Sequence, residues 1–215
     1  MFLLDGSAGF FSQLLASLKS WDTWLFLKIN NSWTTPFLDT NYPWWREAST
    51  WMPLYFFLIF LVLYNFGWKV WPWILLFIAT VGLSDQISSG IIKNWVARPR
   101  PCGDDVLMYK VRLLLNHCPG SGSFTSSHAT NHFAMACFLY FTFKPLFGKW
   151  GGVFFVWAAT ISYGQVYVGV HYPLDIICGA LLGLGIGKLS ATLFLSKVGW
   201  PPLLPFAAAL QNEVD

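Results

Sequence analysis

Long stretches without charge decide what this chain can fold into. Residues 48–68 hold no charged side chain, residues 70–92 hold only Asp85, and residues 128–147 turn apolar after a polar start. Residues 150–171 are uncharged, and residues 173–196 hold only Asp175 near one end and Lys188 near the other. Crossing a bilayer takes about 20 apolar residues, and at that length only a helix satisfies its own backbone hydrogen bonds in lipid. The expectation is an all-α integral membrane protein with five transmembrane helices. Composition agrees: 55% of the 215 residues are hydrophobic and 19% are aromatic, more apolar surface than a soluble domain of this length can hide. A net charge of +3 without a basic run leaves no footprint for nucleic acid.

Ahead of the first span, Phe11, Leu14, Leu18, Trp21 and Leu25 recur at helical spacing, while Ser12, Lys19, Ser20, Asp22 and Thr23 fill the other faces. This predicts an N-terminal amphipathic helix lying in the interface, with a short sixth span as the alternative, ended by Asn30-Asn31 and Thr35-Pro36. Met1-Phe2-Leu3-Leu4-Asp5 offers neither a positive n-region nor a small-residue cleavage site, so no signal peptide is expected. Residues 93–127, rich in Gly, Pro, Ser and charge, connect two spans, and connections of that length without periodicity are usually functional or disordered. With no internal repeat or break in composition, residues 1–215 read as one domain.

Charged residues make up only 11% of the chain, so those at the edges of the spans are informative, because charge beside a bilayer core is costly. If the spans alternate, Lys93 at the end of the second and His128 at the start of the third face one side. His171 at the end of the fourth and Asp175 at the start of the fifth face that side too. Lys93, Arg98 and Arg100 supply positive charge, and arginine grips phosphate oxygens bidentately. Ser126 or Ser127 is placed to cap the third helix, whose free N–H groups point toward the loop. Asp175, four residues after His171, can accept its Nδ1–H and leave Nε2 free as nucleophile or base. A nucleophilic histidine, an acid histidine and a cationic cradle suit phosphoryl transfer through a phosphohistidine.

Three stretches then carry a resemblance. Lys93, six intervening residues and Arg100-Pro101 come first; Thr125-Ser126-Ser127-His128 follows; Gly164-Gln165, five residues, His171, three residues and Asp175 close the series. In that order they resemble the motifs of the type-2 phosphatidate phosphatase superfamily, membrane lipid phosphatases related to the vanadium haloperoxidases. The likeness covers residues 85–185. It implies His171 as nucleophile, Asp175 as its partner and His128 as the acid that protonates the leaving oxygen. It implies Lys93, Arg100 and Ser126 as phosphate holders, with Ser127 beside them, and neither a metal nor a cofactor. The first motif matches in full, and the second keeps its Ser and His. The third has Gly164-Gln165 where the family has Ser-Arg. That missing arginine leaves several readings open: Arg98 partly compensates, the enzyme is slow, its substrate differs, or the chain is a lipid-phosphate binder or transporter that has lost catalysis. Intact His128, His171 and Asp175 favour the enzyme, since a binder needs no His–Asp couple. The expected partner is a lipid phosphate or diphosphate in the bilayer, undecaprenyl diphosphate first, with phosphatidate, phosphatidylglycerol phosphate and lipid A phosphates also open.

The remaining polar residues read as structural. Asp85, with Gln86, Ser88 and Ser89, predicts a buried network that braces the site. His132 follows His128 by one turn without a third ligand, which predicts hydrogen bonding rather than a metal pair. Gly179, Gly183 and Gly187 form a small-xxx-small stripe for close helix packing. Cys102 and Cys118 share the site-side loop; they pair if that loop faces an oxidising compartment and stay reduced if it is cytosolic. Once Lys93 and Arg100 are discounted as tied to function, Lys69, Lys144, Lys149, Lys188 and Lys197 mark the opposite side as cytoplasmic. The expected setting is a bacterial inner membrane with the site facing the periplasm.

Overall fold

The computed structural model describes residues 5–202; residues 1–4, read above for a leader, lie outside the described residues. Helix α1 (Asp5–Leu27) runs through a widened turn, Lys28–Ser32, toward α2 (Pro36–Trp45). Next come α3 (Met52–Phe66) and α4 (Trp71–Asp85), the latter continued through Gln86–Ile92 into the short α5 (Lys93–Val96). The chain closes with α6 (Ser127–Phe147), α7 (Val153–Tyr167) and α8 (Pro173–Lys197), and no strand occurs among the described residues. The boundaries follow from the sequence. Prolines occupy the first turns of α2, α3, α4 and α8, where a missing N–H costs nothing. Thr35 caps α2 by accepting the Leu38 N–H at 3.2 Å. Gly67, at φ 68°, ends α3 and starts the reversal into α4.

Ala48–Gly103 and Pro173–Lys197 are long and apolar enough to cross a membrane, and the reversal at Gly67 divides the first of them. The fourth apolar run is only partly helical. Gly148–Gly152 forms a tight turn ahead of α7, and the chain leaves the helix after Tyr167. Val168 and Val170 are nonetheless fully buried, packed with Leu107 and Val111 of the long connection. Their apolarity therefore serves a protein-covered loop rather than a span.

Helix α6 lies at the centre. Trp73 of α4 is fully buried and stacks on Phe77 and on Phe143 of α6, each at 5.3 Å. Phe56, Phe60, Ile78, Leu181 and Leu189 point outward, an apolar surface suited to lipid. Exposed Trp68, Trp71 and Trp150 gather near the α3–α4 and α6–α7 turns, and Trp33, Trp44, Trp95 and Tyr109 near the opposite end. Aromatic residues at both ends are what a membrane–water interface selects.

The glycine stripe sits where α8 meets α6. A Cβ on Gly179 would lie 2.8 Å from the Ser126 carbonyl, one on Gly183 would strike the Thr130 carbonyl, and one on Gly187 the Ala134 carbonyl. A Cβ on Gly185 would meet open space. Gly183→Ala therefore forces α8 off α6, costing about 1–3 kcal/mol, and lowers the melting temperature in detergent, while Gly185→Ala does not. Equal melting for the two variants would contradict this packing.

The two faces of α1 meet different surroundings. Phe11, Leu14, Leu18 and Trp21 are all exposed, so the apolar face looks away from the protein, as an interfacial helix requires. Asp22, however, is fully buried, as are Phe26 and Asn30. These residues, at spacings of four, form the face that packs on the protein.

Candidate active site

The first motif is shaped by a backbone reversal. After α5, Ala97 takes a left-handed conformation at φ 46° and its N–H caps Lys93 O at 2.9 Å. This turns the chain into Arg98-Pro99-Arg100. The returning loop holds that stretch, with Ser123 N–H donating to Arg98 O at 2.8 Å and Ser123 Oγ to Pro99 O at 3.1 Å. Cys102 and Cys118 are paired in the same loop, their Cα atoms 5.8 Å apart. Lys93, Arg98, Arg100 and Ser89 line a cavity of ≈ 620 Å³ beneath it.

Arg100 is aimed from one side and loaded on the other. Its Nε donates to Ser121 O at 2.8 Å and Nη2 to Ser121 Oγ at 3.0 Å. Nη1 reaches Val170 O and His171 Nε2, both at 3.1 Å. Burial pulls this guanidinium down to about 10, with Asp175 opposing the shift and the Arg46 charge adding to it.

His171 lies in the loop between α7 and α8 and is 1% exposed. Its Nδ1 faces Asp175 Oδ2 at 3.4 Å. With Arg100 donating at the other nitrogen, the bonding pattern assigns the ring proton to Nδ1 and leaves the Nε2 lone pair toward the arginine. Asp175 is fully buried, and its Oδ2 also accepts the Tyr172 N–H at 2.9 Å.

Arg98 stands behind this couple. Nη1 donates to Asp175 Oδ1 at 2.8 Å, Nη2 donates to Asp22 Oδ2 at 2.6 Å, and the group lies 3.9 Å from the Tyr172 ring centre. Burial works against its charge, but Asp175 and Asp22 outweigh it and hold Arg98 above the ordinary arginine value. Asp22 Oδ1 also accepts the Leu174 N–H at 2.8 Å. The resulting chain, Asp22–Arg98–Asp175–His171, locks α1 to the start of α8. Compensation by Arg98 for the arginine missing at Gln165 is one of the readings the sequence leaves open; in the structure its two terminal nitrogens are taken by carboxylates.

The second motif opens α6. Ser126 is fully buried and caps the helix, its Oγ accepting the Ala129 N–H at 3.4 Å. The Ser127 hydroxyl is engaged by Ser89 at 2.7 Å and Ser88 at 3.1 Å. Asp85 Oδ1 accepts from Ser89 at 3.2 Å and from Asn131 Nδ2 at 3.1 Å, which is the bracing network expected of it. His132 uses both ring nitrogens, on His128 O at 2.8 Å and Tyr55 Oη at 3.3 Å. The His128 ring has no hydrogen-bond partner among the described residues. It lines a second, apolar cavity of ≈ 560 Å³ with Tyr55, Phe56, Ile78, Val81 and Met135. Among the described residues no group of histidine, cysteine and carboxylate side chains is gathered for a metal.

Gln165 is fully buried, and its Nε2 donates to Arg46 O at 3.4 Å. Asp22, which holds Arg98, Ser121, which orients Arg100, and Arg46, whose carbonyl meets Gln165, were not singled out by sequence reasoning.

Comparison with known proteins places this geometry. Residues 71–198 match the family model described as the PAP2 superfamily. The chain is 33% identical to a lipid A 4'-phosphatase of Bacteroides thetaiotaomicron, over 79% of this chain and 75% of that protein. The crystal structure of Aquifex aeolicus LpxE superposes with a TM-score of 0.56 at 28% identity, covering 78% of this chain and 93% of that one. A phosphatidylglycerolphosphate phosphatase from Bacillus subtilis shares the fold with a TM-score of 0.64 at 23% identity, over 85% and 88% of the two chains. This chain belongs to the PAP2 superfamily and is an all-helical membrane lipid phosphatase.

Proposed function

We propose that the chain hydrolyses a phosphate monoester on a lipid-anchored sugar of the lipid A type, through a phosphohistidine at His171. The observation that carries this reading is His171 itself, its Nδ1 toward Asp175 and its Nε2 at 3.1 Å from the Arg100 guanidinium. Phosphate oxygens held by Arg100 and Lys93 stand within reach of that lone pair. Nε2 attacks phosphorus, and the bond to the sugar oxygen breaks as His128 protonates that oxygen. His128, now neutral, takes a proton from water, which releases phosphate from His171. Asp175 stabilises the imidazolium formed in the first step, and Ser126 holds a phosphate oxygen from the start of α6.

The relative from Bacteroides thetaiotaomicron supports the substrate class. So does the placement of His128 in an apolar cavity bordered by outward-facing Phe56 and Ile78, where acyl chains can enter from the bilayer. The test is phosphate release by the full chain in EDTA from lipid A carrying a 4'-phosphate, phosphatidate, phosphatidylglycerol phosphate and undecaprenyl diphosphate. Lipid A is expected to react fastest. A preference for undecaprenyl diphosphate would overturn the substrate assignment, and no release from any lipid would favour a binding protein.

The five spans of the proposal are α3, α4–α5, α6, α7 and α8, in a single domain, with α1 in the interface. The site faces the periplasm of a bacterial inner membrane. The Cys102–Cys118 pairing supports that orientation, because disulfides persist in oxidising compartments. In protein extracted without reductant the two thiols are expected to resist alkylation. After reduction of intact cells, a membrane-impermeant thiol reagent should label both; labelling only after lysis would place the loop in the cytosol.

A further inference from the structure

We propose that Arg46 supplies the phosphate-binding guanidinium that the third motif lacks, delivered from the end of α2 instead of from α7. The inference rests on the phosphatase reading above. It starts from Gly164-Gln165, where the motif otherwise carries a serine and an arginine. A Cβ on Gly164 would lie 2.8 Å from the Tyr42 ring and 3.3 Å from Arg46 Cβ. Gln165 Nε2 donates to the Arg46 carbonyl, and its Oε1 is buried without a partner. Both departures from the motif therefore sit against the end of α2. The glycine makes room for that end, and the glutamine removes a charge beside it.

Arg46 itself is a buried cation with little to hold it. Its side chain is 7% exposed and its Nε is buried without a partner. Among the described residues its guanidinium pairs only with Glu47, at 3.1 Å, and Glu47 is 46% exposed. A buried guanidinium with one solvated counter-ion is poorly compensated, and an anion would relieve it. Burial accordingly lowers it from the ordinary arginine value, with Glu47 opposing. The charge of Arg46 reaches both the acid, His128, and the phosphate-holding Arg100. Arg98 is no rival, since Asp22 and Asp175 occupy it. Arg46 also lies outside residues 71–198, so a motif search would pass over it.

The test relocates the charge. Wild type, Arg46→Gln, Gln165→Arg and the double variant are compared as full chains in detergent. Each is scored by kcat/KM on lipid A 4'-phosphate and by the rise in melting temperature that inorganic phosphate produces. Arg46→Gln should lower kcat/KM by about 10- to 100-fold, the scale of a lost charged hydrogen bond, and remove the phosphate-dependent rise. Gln165→Arg alone should lower activity, because a further guanidinium crowds Arg46 and Arg100. Placed on Arg46→Gln, the same substitution should raise activity by about tenfold, a reversal of sign that marks direct coupling. A residue that only braced α2 against α7 would give no such reversal. Wild-type kcat/KM and phosphate response in Arg46→Gln overturn the proposal, as does a folded double variant no more active than Arg46→Gln. If Arg46→Gln does not fold, a gain in kcat/KM from Gln165→Arg alone overturns it. A wild type that responds to phosphate but hydrolyses no lipid defeats the phosphatase reading and leaves the Arg46 assignment to the melting series.

Discussion

His171→Ala is expected to abolish phosphate release. The expectation is stronger than a slowed reaction, because the variant removes the atom that forms the covalent bond and leaves no substitute. His128 is the other histidine within electrostatic reach, but it stands on α6 on the leaving-group side of the scheme. His132 has both ring nitrogens committed to protein partners. The buried Asp175 is held by Arg98 and the Tyr172 N–H. Water alone, attacking a phosphate gripped by Lys93 and Arg100, retains only the part of the acceleration that binding and charge supply. His171→Gln separates nucleophilicity from packing. It fills a similar volume beside Arg100, so it should fold like wild type and still fail to turn over. Measurable steady turnover by either variant would remove His171 from the nucleophile's role.

The second large effect belongs to His128. Protonating the departing oxygen is general acid catalysis, worth roughly 10²–10⁴-fold, and His128→Ala forfeits it in the first step and the matching base in the second. The ring has no hydrogen bond to lose among the described residues and only a loose stack on His132, 6.3 Å between ring centres, so the variant should nearly keep its melting temperature while kcat falls. An activated leaving group distinguishes acid catalysis from a packing defect. On p-nitrophenyl phosphate the leaving oxygen needs little protonation, so the first step of His128→Ala should recover relative to a sugar phosphate. An equal loss on both substrates would mean that His128 acts through structure or binding rather than through its proton.

Most of the helices could be read from the chain, because lipid demands long uncharged runs. The residues of the three motifs could be read because each is fixed by local spacing, such as the turn between His171 and Asp175. The parts that escaped lie at long range. Asp22 and Arg46 contact motif residues from segments far from the motifs in sequence, with no fixed offset to betray them. For α1 the periodicity of Phe11, Leu14, Leu18 and Trp21 described the outward side. In an interfacial helix the apolar face points to lipid, so the face that grips the protein holds an aspartate and an asparagine and reads as polar. The run over residues 150–171 continues past the helix it predicts, since α7 ends at Tyr167. Val166, Val168 and Val170 are buried by a polar-rich loop rather than by lipid, and composition alone does not distinguish the two coverings. Gln165 was recognised as a departure, but its meaning depended on what packs against it.

The proposed cleavage of a lipid phosphate passes through a covalent bond to His171. It is tested most directly by stopping the full-length enzyme in alkali during turnover of a phosphorylated lipid and locating phosphate along the chain by peptide mass spectrometry. Phosphate is expected on the peptide containing His171, on its imidazole, and should be absent in His171→Gln. Phosphate found on another residue, or an enzyme that turns over steadily while His171 remains unmodified, would contradict it.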